Sequence, residues 1–363
     1  MKLLLIFGGR SCEHAVSVTS AQSVMKAITE LNYQIQLIGI TESGQWRWSD
    51  DDNIEALTSD GLVDVNKGVA ITPDLGTLGR FLRSDGEVVE SIDVIFPLLH
   101  GPFGEDGTIQ GLFEMLNIPY VGCGVLASAC GMDKLISKVL FEKAGIPQAN
   151  YVGISSSAWH QQTEALLEKI KQQLIFPLFI KPANMGSSVG VSKAEDLSSL
   201  RTAIDQALLF DHKVLVENSF ENLLEVECAV LGNNNPKASV VGEIKAGATF
   251  YDYDAKYKDD TSTVIIPAHI SNTLSNKARK LAIKAFQAIE GSGLARVDFF
   301  IDTVTEQVWI NEINTLPGFT PISMYPKLWQ ATDLPYAQLI AKLVELAINR
   351  FEMKKSLKSS YSE

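Results

Sequence analysis

Two predicted strands joined by a short turn, between residues 295 and 318, constrain the fold and the chemistry of this chain more than any other stretch. Because side chains alternate along a strand, Arg296 and Asp298 share one face of the first strand. Glu312 and Asn314 share one face of the second strand for the same reason. The other face is predicted to be apolar and to consist of Val297, Phe299, Ile301, Trp309 and Ile313.

The polar face of this hairpin has two interpretations. A turn centred on residues 303–305 would place Arg296 opposite Glu312, with Asp298 diagonal to it. Carboxylate and amide oxygens at this spacing suit hard Mg²⁺ or Mn²⁺, so the hairpin could form the floor of a metal–nucleotide site, with Asn314 as a further ligand. Alternatively, the hairpin is solvated and Arg296 simply pairs with one of the carboxylates. The remaining motifs favour the first interpretation.

Composition narrows the class of protein. With 363 residues, 46% of them hydrophobic and 20% charged, the chain predicts a soluble protein of two or three domains. The formal net charge of −12 and the lack of a long basic run argue against a nucleic-acid partner. The apolar run after Lys2 is too short for a signal peptide or a membrane span, so we expect no membrane partner and a cytoplasmic location.

The N-terminal segment predicts an α/β unit whose functional edge lies where strands end and helices begin. Lys2–Phe7 is a predicted strand, and a helix follows over about Val16–Leu31. Glu13 lies between them and either caps the helix or binds a substrate ammonium. Ile92–Leu98 is another predicted strand, followed by His100, which is either a structural hydrogen-bonding group or a catalytic group.

The central segment combines lysines with a glycine-rich loop. Lys134 lies in the first turn of a predicted helix, Asp133–Ala144, where a cation is unfavourable unless an anion binds there. Phe176–Lys181 is a predicted strand that leads to the Gly186–Gly190 loop. This loop is either an ordinary hairpin turn or a phosphate-binding cover with Lys181 at its entrance, and it lacks the Walker A pattern.

These patterns predict a multidomain protein of the α/β and α+β classes. The expected domains are residues 1–122, 123–212 and 213–363. The polar and aromatic stretch Phe250–Asp260 is expected to be a loop that covers a site. Gln45–Arg83 is predicted to be an insertion of short strands and turns without chemistry of its own.

Short motifs in all three predicted domains carry a family resemblance. In chain order they are Gly8-Gly9-Arg-Ser-Cys-Glu13, His100-Gly-Pro-Phe-Gly-Glu105-Asp106-Gly107, Met132-Asp-Lys134, Ile180-Lys181-Pro, Tyr251-Asp-Tyr-Asp-Ala-Lys256-Tyr257, Arg296-Val-Asp298 and Asn311-Glu312-Ile-Asn314-Thr-Leu-Pro-Gly318. This ordered set closely resembles the D-alanine–D-alanine ligase family of the ATP-grasp superfamily. The resemblance implies an ATP-grasp fold with a Rossmann-like N-terminal domain, and ATP-dependent joining of two D-alanines through an acyl phosphate.

The resemblance also implies roles for the nucleotide and metal site. Asp298, Glu312 and Asn314 would bind two Mg²⁺ or Mn²⁺ ions that bridge the ATP phosphates. The residues expected to contact ATP are Lys134, Lys181, Ser188, Glu217, Glu225 and Lys256. Of these, the two glutamates correspond to the family's contacts to the adenine edge and the ribose.

Further roles concern the amino-acid substrates. Glu13 would hold the ammonium of the first D-alanine, near His100, and Ser323 would bind the carboxylate of the second. The residues expected to be catalytic are Glu13, Ser187, Arg296, Gly318 and Tyr257. Arg296 and the Gly318 N–H would face the oxyanion of the tetrahedral intermediate, and the loop that carries Lys256 would exclude water.

Two alternatives and the assembly remain expectations. The first alternative is a ligase with a different acceptor, D-lactate or D-serine, although the Lys256-Tyr257 pair favours the peptide product. The second is a nucleotide-binding module without catalysis, against which the intact set of charged residues argues. The expected assembly is a homodimer.

Overall fold

The computed structural model describes residues 1–76, 79–220, 223–245 and 263–358. The predicted covering loop Phe250–Asp260, with Lys256 and Tyr257, lies outside these residues. The strands of the N-terminal region, in chain order, are β1 (Lys2–Gly8), β2 (Gln34–Ile40), β3 (Trp46–Ser49), β4 (Thr58–Ser59), β5 (Leu62–Val63), β6 (Val69–Pro73), β7 (Phe81–Arg83), β8 (Val88–Val89) and β9 (Val94–Pro97). Seven of them form one sheet in the order β8-β7-β6-β3-β2-β1-β9, and β4 pairs with β5.

The predicted strand–turn–helix opening is confirmed. The apolar run of β1 is buried and pairs in parallel with both β2 and β9, while helix α1 (His14–Ile28) packs on β1. The predicted insertion also consists of short strands and turns, since β3, β6 and β7 extend the sheet in antiparallel fashion. Helix α2 (Thr108–Leu116) follows the loop that contains His100.

The central region contains a four-stranded antiparallel sheet. Its strands are β10 (Tyr151–Ser155), β11 (Leu178–Pro182), β12 (Ser192–Ala194) and β13 (Lys213–Asn218), in the order β10-β13-β11-β12. Its helices are α3 (Val125–Met132), α4 (Lys134–Lys143), α5 (Ser156–Gln173) and α6 (Leu197–Ala207). Because β13 pairs with β10 and β11, the domain boundary predicted after residue 212 would divide this sheet. A boundary after Asn218 keeps the sheet whole.

The C-terminal region contains a five-stranded antiparallel sheet in the order β16-β15-β14-β17-β18. Its strands are β14 (Leu224–Gly232), β15 (Lys237–Lys245), β16 (Thr263–Ile265), β17 (Gly293–Asp302) and β18 (Gln307–Asn314). Its helices are α7 (Asn272–Ala288), α8 (Met324–Gln330) and α9 (Tyr336–Lys355). Helices α7 and α8 both pack against this sheet.

The β17–β18 hairpin keeps the predicted polar face but not the predicted register. Arg296 pairs with Asn314, and Asp298 pairs with Glu312, so the prediction that Arg296 lies opposite Glu312 was wrong. The register shifts after Asp298, where Asn311 is the extra residue of a β-bulge. One extra residue exchanges the two faces of a strand beyond that point.

The bulge also moves Trp309 off the apolar face to which the sequence assigned it. Trp309 pairs with Phe300 and lies 4.8 Å from the Phe220 ring, whereas Val297 and Phe299 pair with isoleucines of β18 in the core. The alternation rule holds on each side of the bulge but not across it.

The first and last regions share one hydrophobic core, which fixes the geometry between them. It joins β1 and α1 to the C-terminal helices α8 and α9. Within it, the Phe96 and Phe319 rings meet edge to face at 5.6 Å between centroids. This packing holds the segment Gly318–Ser323 against the carboxyl edge of the N-terminal sheet. None of the helices in the described part of the chain is long and apolar enough to cross a membrane.

Candidate active site

A cavity of about 460 Å³ is lined by side chains from all three regions. Nine of the residues that the sequence singled out line it: Glu13, His100, Lys134, Ser187, Arg296, Glu312, Asn314, Gly318 and Ser323. Residues separated by more than 300 positions in the chain are therefore brought to one place. The cavity contains both charge signs, as a site for charged substrates requires.

The floor of the cavity is a row of carboxylates across three neighbouring strands. Glu227 of β14 pairs with Asp298 of β17, which pairs with Glu312 of β18. Arg296 donates to Asp298 Oδ1 at 2.8 Å and to Oδ2 at 2.7 Å, and its Nε lies 3.0 Å from Glu227 Oε2. Burial opposes the charge of Arg296, but Asp298 and Glu227 outweigh this effect and raise the pKa of the guanidinium. Arg296 is therefore a fixed cation in the floor.

The donor chemistry of this floor fits a hard divalent cation. Asp298 and Glu312 are cross-strand neighbours, and Asn314 follows on the same face of β18. The described residues contain no cluster of three or more His, Cys, Asp or Glu that could hold a metal ion. A metal here would therefore use an amide oxygen beside two carboxylates, an all-oxygen set of the kind that Mg²⁺ and Mn²⁺ prefer. The Asn314 side chain accepts a bond from the Leu316 N–H at 3.1 Å, which orients it.

Lys134 reaches across to the glycine-rich loop. Asp133 caps α4 by accepting bonds from two N–H groups of its first turn. This places the Lys134 side chain beside the cavity, where Nζ donates to the Met185 carbonyl at 2.7 Å and lies 3.7 Å from Glu312 Oε2. Lys134 thus links the central region to the hairpin floor.

A buried lysine and a partly buried one share one glutamate beside the cavity, and we call Lys138, Lys181 and Glu217 the lysine–glutamate cluster. Lys138 Nζ lies 2.8 Å from Glu217 Oε2, and Lys181 Nζ lies 2.7 Å from Glu217 Oε1. Lys181 also donates to Asn311 Oδ1 of the β-bulge at 3.1 Å. Burial alone would raise the pKa of Glu217, but the two ammonium groups lower it to about 2. The glutamate is therefore a firmly charged anchor.

The Gly186–Gly190 loop adopts a backbone that few sequences allow. Ser187 and Ser188 have φ values of 49° and 59°, in the left-handed region that residues other than glycine seldom occupy. The Ser187 hydroxyl forms a short hydrogen bond with Glu13. A Cβ atom on Gly186 would lie 3.0 Å from Glu13 Oε2, so a larger residue there would crowd this carboxylate. The loop is thereby held against the N-terminal region.

His100 is buried between two structural partners and one acid. Its ring nitrogens lie 3.1 Å from Ser20 Oγ and 3.1 Å from the Leu316 carbonyl, and Nδ1 lies 3.7 Å from Glu105 Oε1. Burial opposes a charged imidazole, but Glu105 outweighs it and raises the pKa of His100. Burial also raises the pKa of Glu105 to about 7, although His100 lowers it. His100 is therefore a structural hydrogen-bonding group, as one interpretation of the sequence expected, and it also lines the cavity, while its role towards substrate stays a prediction.

Ser323 forms the end of the cavity at helix α8. Its Oγ accepts a bond from the Thr320 N–H at 3.0 Å and lies 2.7 Å from Thr320 Oγ1. A Cβ on Gly318 would lie 2.7 Å from Ser323 Oγ, so the Pro-Gly turn must approach this hydroxyl closely. Lys327, one turn further along α8, also lines the cavity.

The remaining predicted residues lie outside the cavity wall or outside the described chain. Ser188 follows Ser187 in the loop, and Glu225 is exposed on β14, where its charge contributes to the raised pKa of Lys181. Asp298 lies in the floor beneath the wall, bound to Arg296. Lys256 and Tyr257 fall in the undescribed stretch 246–262.

Sequence reasoning assigned no role to five residues of the site, although two of them stand in the motifs quoted above: Glu105, Lys138, Glu227, Asn311 and Lys327. For Glu227 a signal existed, because it alternates with Glu225 on one face of a predicted strand. Lys327 also carries a signal, since it follows Ser323 at helical spacing. Lys138 and Asn311 depend on partners that are distant in the chain, whereas the partner of Glu105 is His100 of the same loop.

Comparisons with known proteins agree with this geometry. The family model for the D-ala D-ala ligase N-terminus matches residues 2–123, and that for the D-ala D-ala ligase C-terminus matches residues 140–345. The chain is 48% identical to a D-alanine–D-alanine ligase of Acetivibrio thermocellus, with 96% of each chain covered. It is 49% identical to one of Ruminiclostridium cellulolyticum, covering 97% of this chain and 96% of the relative.

Solved structures give the same result. The D-alanine–D-alanine ligase from Coxiella burnetii is similar with a TM-score of 0.83 and 34% identity, covering 98% of this chain and 97% of that one. The VanG D-Ala:D-Ser ligase from Enterococcus faecalis has a TM-score of 0.84 and 36% identity, covering 95% and 99%. The chain therefore belongs to the D-alanine–D-alanine ligase family.

Proposed function

We propose that this enzyme joins two D-alanine molecules into D-alanyl-D-alanine, converts ATP to ADP and phosphate, and thereby supplies a precursor of peptidoglycan. The observation that supports this proposal most is the single cavity that combines Glu13, Lys134, Arg296, Glu312 and Ser323. It offers an anion for an ammonium group, cations for phosphate and carboxylate groups, and a hydroxyl for a second carboxylate.

The nucleotide would lie between the central sheet and the hairpin floor. Lys134 and Lys181 would contact its phosphates, Ser188 of the glycine-rich loop would cover them, and Glu217 and Glu225 would contact the adenine and the ribose. Two Mg²⁺ or Mn²⁺ ions at Asp298, Glu312 and Asn314 would offset the repulsion between the triphosphate and an approaching carboxylate. The fixed positions of Lys134 and Lys181 support this placement.

The amino acids would occupy the other side of the cavity. Glu13, held by Ser187, would bind the first ammonium, with His100 beside it. A carboxylate oxygen of this D-alanine attacks the γ-phosphorus, and ADP leaves. The product is an acyl phosphate, a far better acyl donor than a carboxylate.

The second D-alanine then attacks the acyl carbon through its neutral amine. The carbonyl oxygen becomes an oxyanion, which Arg296 and the Gly318 N–H would stabilise. Collapse of this intermediate expels phosphate, forms the peptide bond and releases the amine proton. Tyr257 and Lys256 would belong to the loop that excludes water from the acyl phosphate.

We further infer an ATP-grasp architecture whose N-terminal domain is Rossmann-like. The parallel strands β2-β1-β9 with α1 between β1 and β2 support the latter assignment. A homodimer in the cytoplasm is the assembly and location that we expect. The mass of the purified protein in solution would test the dimer.

The test of the function is product formation. The enzyme is incubated with ATP, MgCl₂ and D-alanine, alone or with equal D-serine or D-lactate, and products are identified by mass spectrometry. We expect phosphate release with D-alanine alone and D-alanyl-D-alanine as the main product in every mixture. Arg296→Ala serves as the control without turnover. Release of phosphate only when D-serine or D-lactate is present would instead establish the alternative acceptor.

A further inference from the structure

We infer that Lys327 binds the carboxylate of the second D-alanine together with Ser323 and so selects acceptors that carry a negative charge. The inference deepens the proposed function and rests on it. Three properties of Lys327 support it: its place on a rigid helix, its lack of an anionic partner among the described residues, and its position relative to Ser323.

Helix α8 holds Lys327 in a fixed place. Met324, Tyr325, Leu328 and Trp329 are all buried on this helix. The Tyr325 hydroxyl donates to the Val230 carbonyl at 3.0 Å, which ties the helix to β14. Lys327 is only partly buried and lines the cavity. A side chain that projects from an anchored helix into a cavity is positioned for a ligand.

Among the residues that the structure describes, the charges around the cavity leave Lys327 uncompensated. Three lysine or arginine side chains of the described residues line the cavity. Lys134 lies 3.7 Å from Glu312, and Arg296 contacts Asp298 and Glu227. In the described part of the chain, Lys327 has neither an ion pair within 4.0 Å nor a side-chain hydrogen bond. A partly desolvated ammonium without an anion is costly, and an anionic ligand would remove that cost.

The position of Lys327 indicates which anion it binds. Ser323 is the N-cap of α8 and Lys327 follows it by four residues, about one helical turn, and both side chains line the cavity. Ser323 Oγ accepts the Thr320 N–H and shares a further hydrogen bond with Thr320 Oγ1 at 2.7 Å, and when Thr320 is the donor in that bond the Ser323 hydrogen is available to a ligand. A hydroxyl and an ammonium one turn apart can each bind one oxygen of a single carboxylate. The ATP phosphates, by contrast, are assigned to Lys134, which contacts the glycine-rich loop, and to Lys181, which contacts Glu217.

This arrangement predicts discrimination by charge at the acceptor site. An acceptor whose carboxylate is replaced by an amide, such as D-alaninamide, keeps the attacking amine but loses the anion. The wild-type enzyme should therefore prefer D-alanine strongly over D-alaninamide. Removal of the Lys327 charge should lower kcat/KM for D-alanine as the acceptor and leave kcat/KM for D-alaninamide almost unchanged.

The experiment compares Lys327→Met, Lys327→Gln and Lys327→Arg with the wild type. Initial rates are measured at varied concentrations of ATP and of D-alanine, which gives KM values for ATP and for each of the two D-alanine sites. In addition, kcat/KM is measured with D-alaninamide as acceptor. Lys280→Met is the matched control, because Lys280 is exposed on α7 and does not line the cavity. Thermal unfolding of each variant shows whether the fold is intact.

We expect Lys327→Met to raise KM for the second D-alanine by about 10- to 100-fold, as loss of a hydrogen bond to a charged group predicts. The KM values for ATP and for the first D-alanine should stay unchanged. Lys327→Arg should restore most of the affinity, and Lys280→Met should match the wild type. The ratio of kcat/KM for D-alanine to that for D-alaninamide should fall in parallel with the loss of charge.

Two outcomes would overturn the inference. One is an unchanged KM for the second D-alanine in Lys327→Met. The other is an equal loss with D-alanine and D-alaninamide, which would indicate a role in packing alone. If Lys327→Met fails to fold, the same acceptor ratio in Lys327→Gln decides the question. A wild-type enzyme that makes no D-alanyl-D-alanine would contradict the proposed function itself, whereas an active wild type with unaffected variants contradicts only the role of Lys327.

Discussion

Glu217 and Glu105 are buried glutamates in the same enzyme, yet their environments shift their acidities in opposite directions. Glu217 is 4% exposed and Glu105 is 8% exposed, so their burial is comparable. The pKa of Glu217 is lowered to about 2, while that of Glu105 is raised to about 7. Burial by itself raises the pKa of both carboxyl groups. The difference lies in the cations that surround each of them.

Glu217 has two lysine ammonium groups within 2.8 Å, whereas Glu105 has one histidine at 3.7 Å and the like charge of Glu13 nearby. A lysine remains charged at neutral pH, but a histidine does not reliably do so. Two permanent cations outweigh the desolvation of a carboxylate, and a single titratable one does not. The lysine–glutamate cluster therefore acts as a fixed anchor, and the His100–Glu105 pair can exchange a proton near neutral pH.

The largest expected effect is the difference in the free energy of unfolding between the same substitution, Glu to Gln, at Glu217 and at Glu105. Glu217→Gln keeps the side-chain volume but leaves the ammonium groups of buried Lys138 and partly buried Lys181 without this anion. We expect it to lower the free energy of unfolding at pH 7 by about 3–5 kcal/mol. Glu105→Gln should instead raise it by up to about 3 kcal/mol, because the neutral amide avoids the cost of a buried carboxyl group whose folded pKa is about 7. Denaturant unfolding of both variants measures the difference.

Glu168→Gln on the exposed face of α5 is the control for removal of a negative charge. It should leave the free energy of unfolding unchanged within the error of the measurement. Similar losses for Glu217→Gln and Glu105→Gln would show that the number of neighbouring cations does not determine the behaviour of these two sites.

The second prediction concerns the pH dependence of stability. Because the folded pKa of Glu105 exceeds its unfolded value near 4.5, its contribution is full below pH 4.5 and is lost as pH rises towards 7. The raised pKa of His100 acts in the same direction. Glu217 behaves oppositely, since its contribution is lost only as pH falls from 4.5 towards 2. Across pH 4.5 to 7, the Glu105 term amounts to at most about 3 kcal/mol.

Unfolding free energies measured at intervals from pH 4.5 to 8 test this prediction. The decline with rising pH should be present in the wild type and much smaller in Glu105→Gln. Glu217→Gln should retain the decline, because its own transition lies in the acid range. An unchanged slope in Glu105→Gln would assign the titration to another group.

A third prediction separates the two lysines of the cluster. Lys138→Met leaves Glu217 with Lys181 alone, and we expect a loss of about 2 kcal/mol, as for one hydrogen bond to a charged group. The acid transition of Glu217 should move to higher pH at the same time. The variant Lys280→Met, at an exposed position, shows how much the loss of a surface lysine charge alone changes the free energy of unfolding. A loss as large as that of Glu217→Gln would mean that Lys181 alone cannot balance the glutamate.

The contrast between these clusters also shows what the sequence could and could not reveal. The polar face of the hairpin, the strand ends at Glu13 and His100, and the apolar strand β1 all follow from alternation and from turn residues near them in the chain. The lysine–glutamate cluster does not, because Lys138 and Glu217 meet only in the folded protein. A lysine in an amphipathic helix is normally a surface residue, so nothing local marks Lys138 as buried.

The hairpin register failed for a related reason. A short turn between the two strands suggested a simple antiparallel pairing. In the structure a single bulge residue, Asn311, shifts the register and moves Trp309 to the other face. The bulge residue binds Lys181, so its position is connected with the central sheet rather than with the hairpin alone. Local patterns cannot specify a feature whose partner lies in another region of the molecule. The membership of β13 in the central sheet escaped prediction in the same way.

The smallest expected effect tests whether the lysine–glutamate cluster depends on anything besides its ion pairs. Lys138 Nζ lies 5.3 Å from the centroid of the Tyr151 ring, within the range of a cation–π interaction. Tyr151→Leu retains an apolar side chain on β10 but removes the ring, and we expect a loss of about 0.5–1 kcal/mol. The same substitution in the Lys138→Met background should cost less, because no cation remains over the ring. If the two losses are equal, the ring contributes only by packing, and the two lysines and Glu217 account for the whole difference from the His100–Glu105 pair.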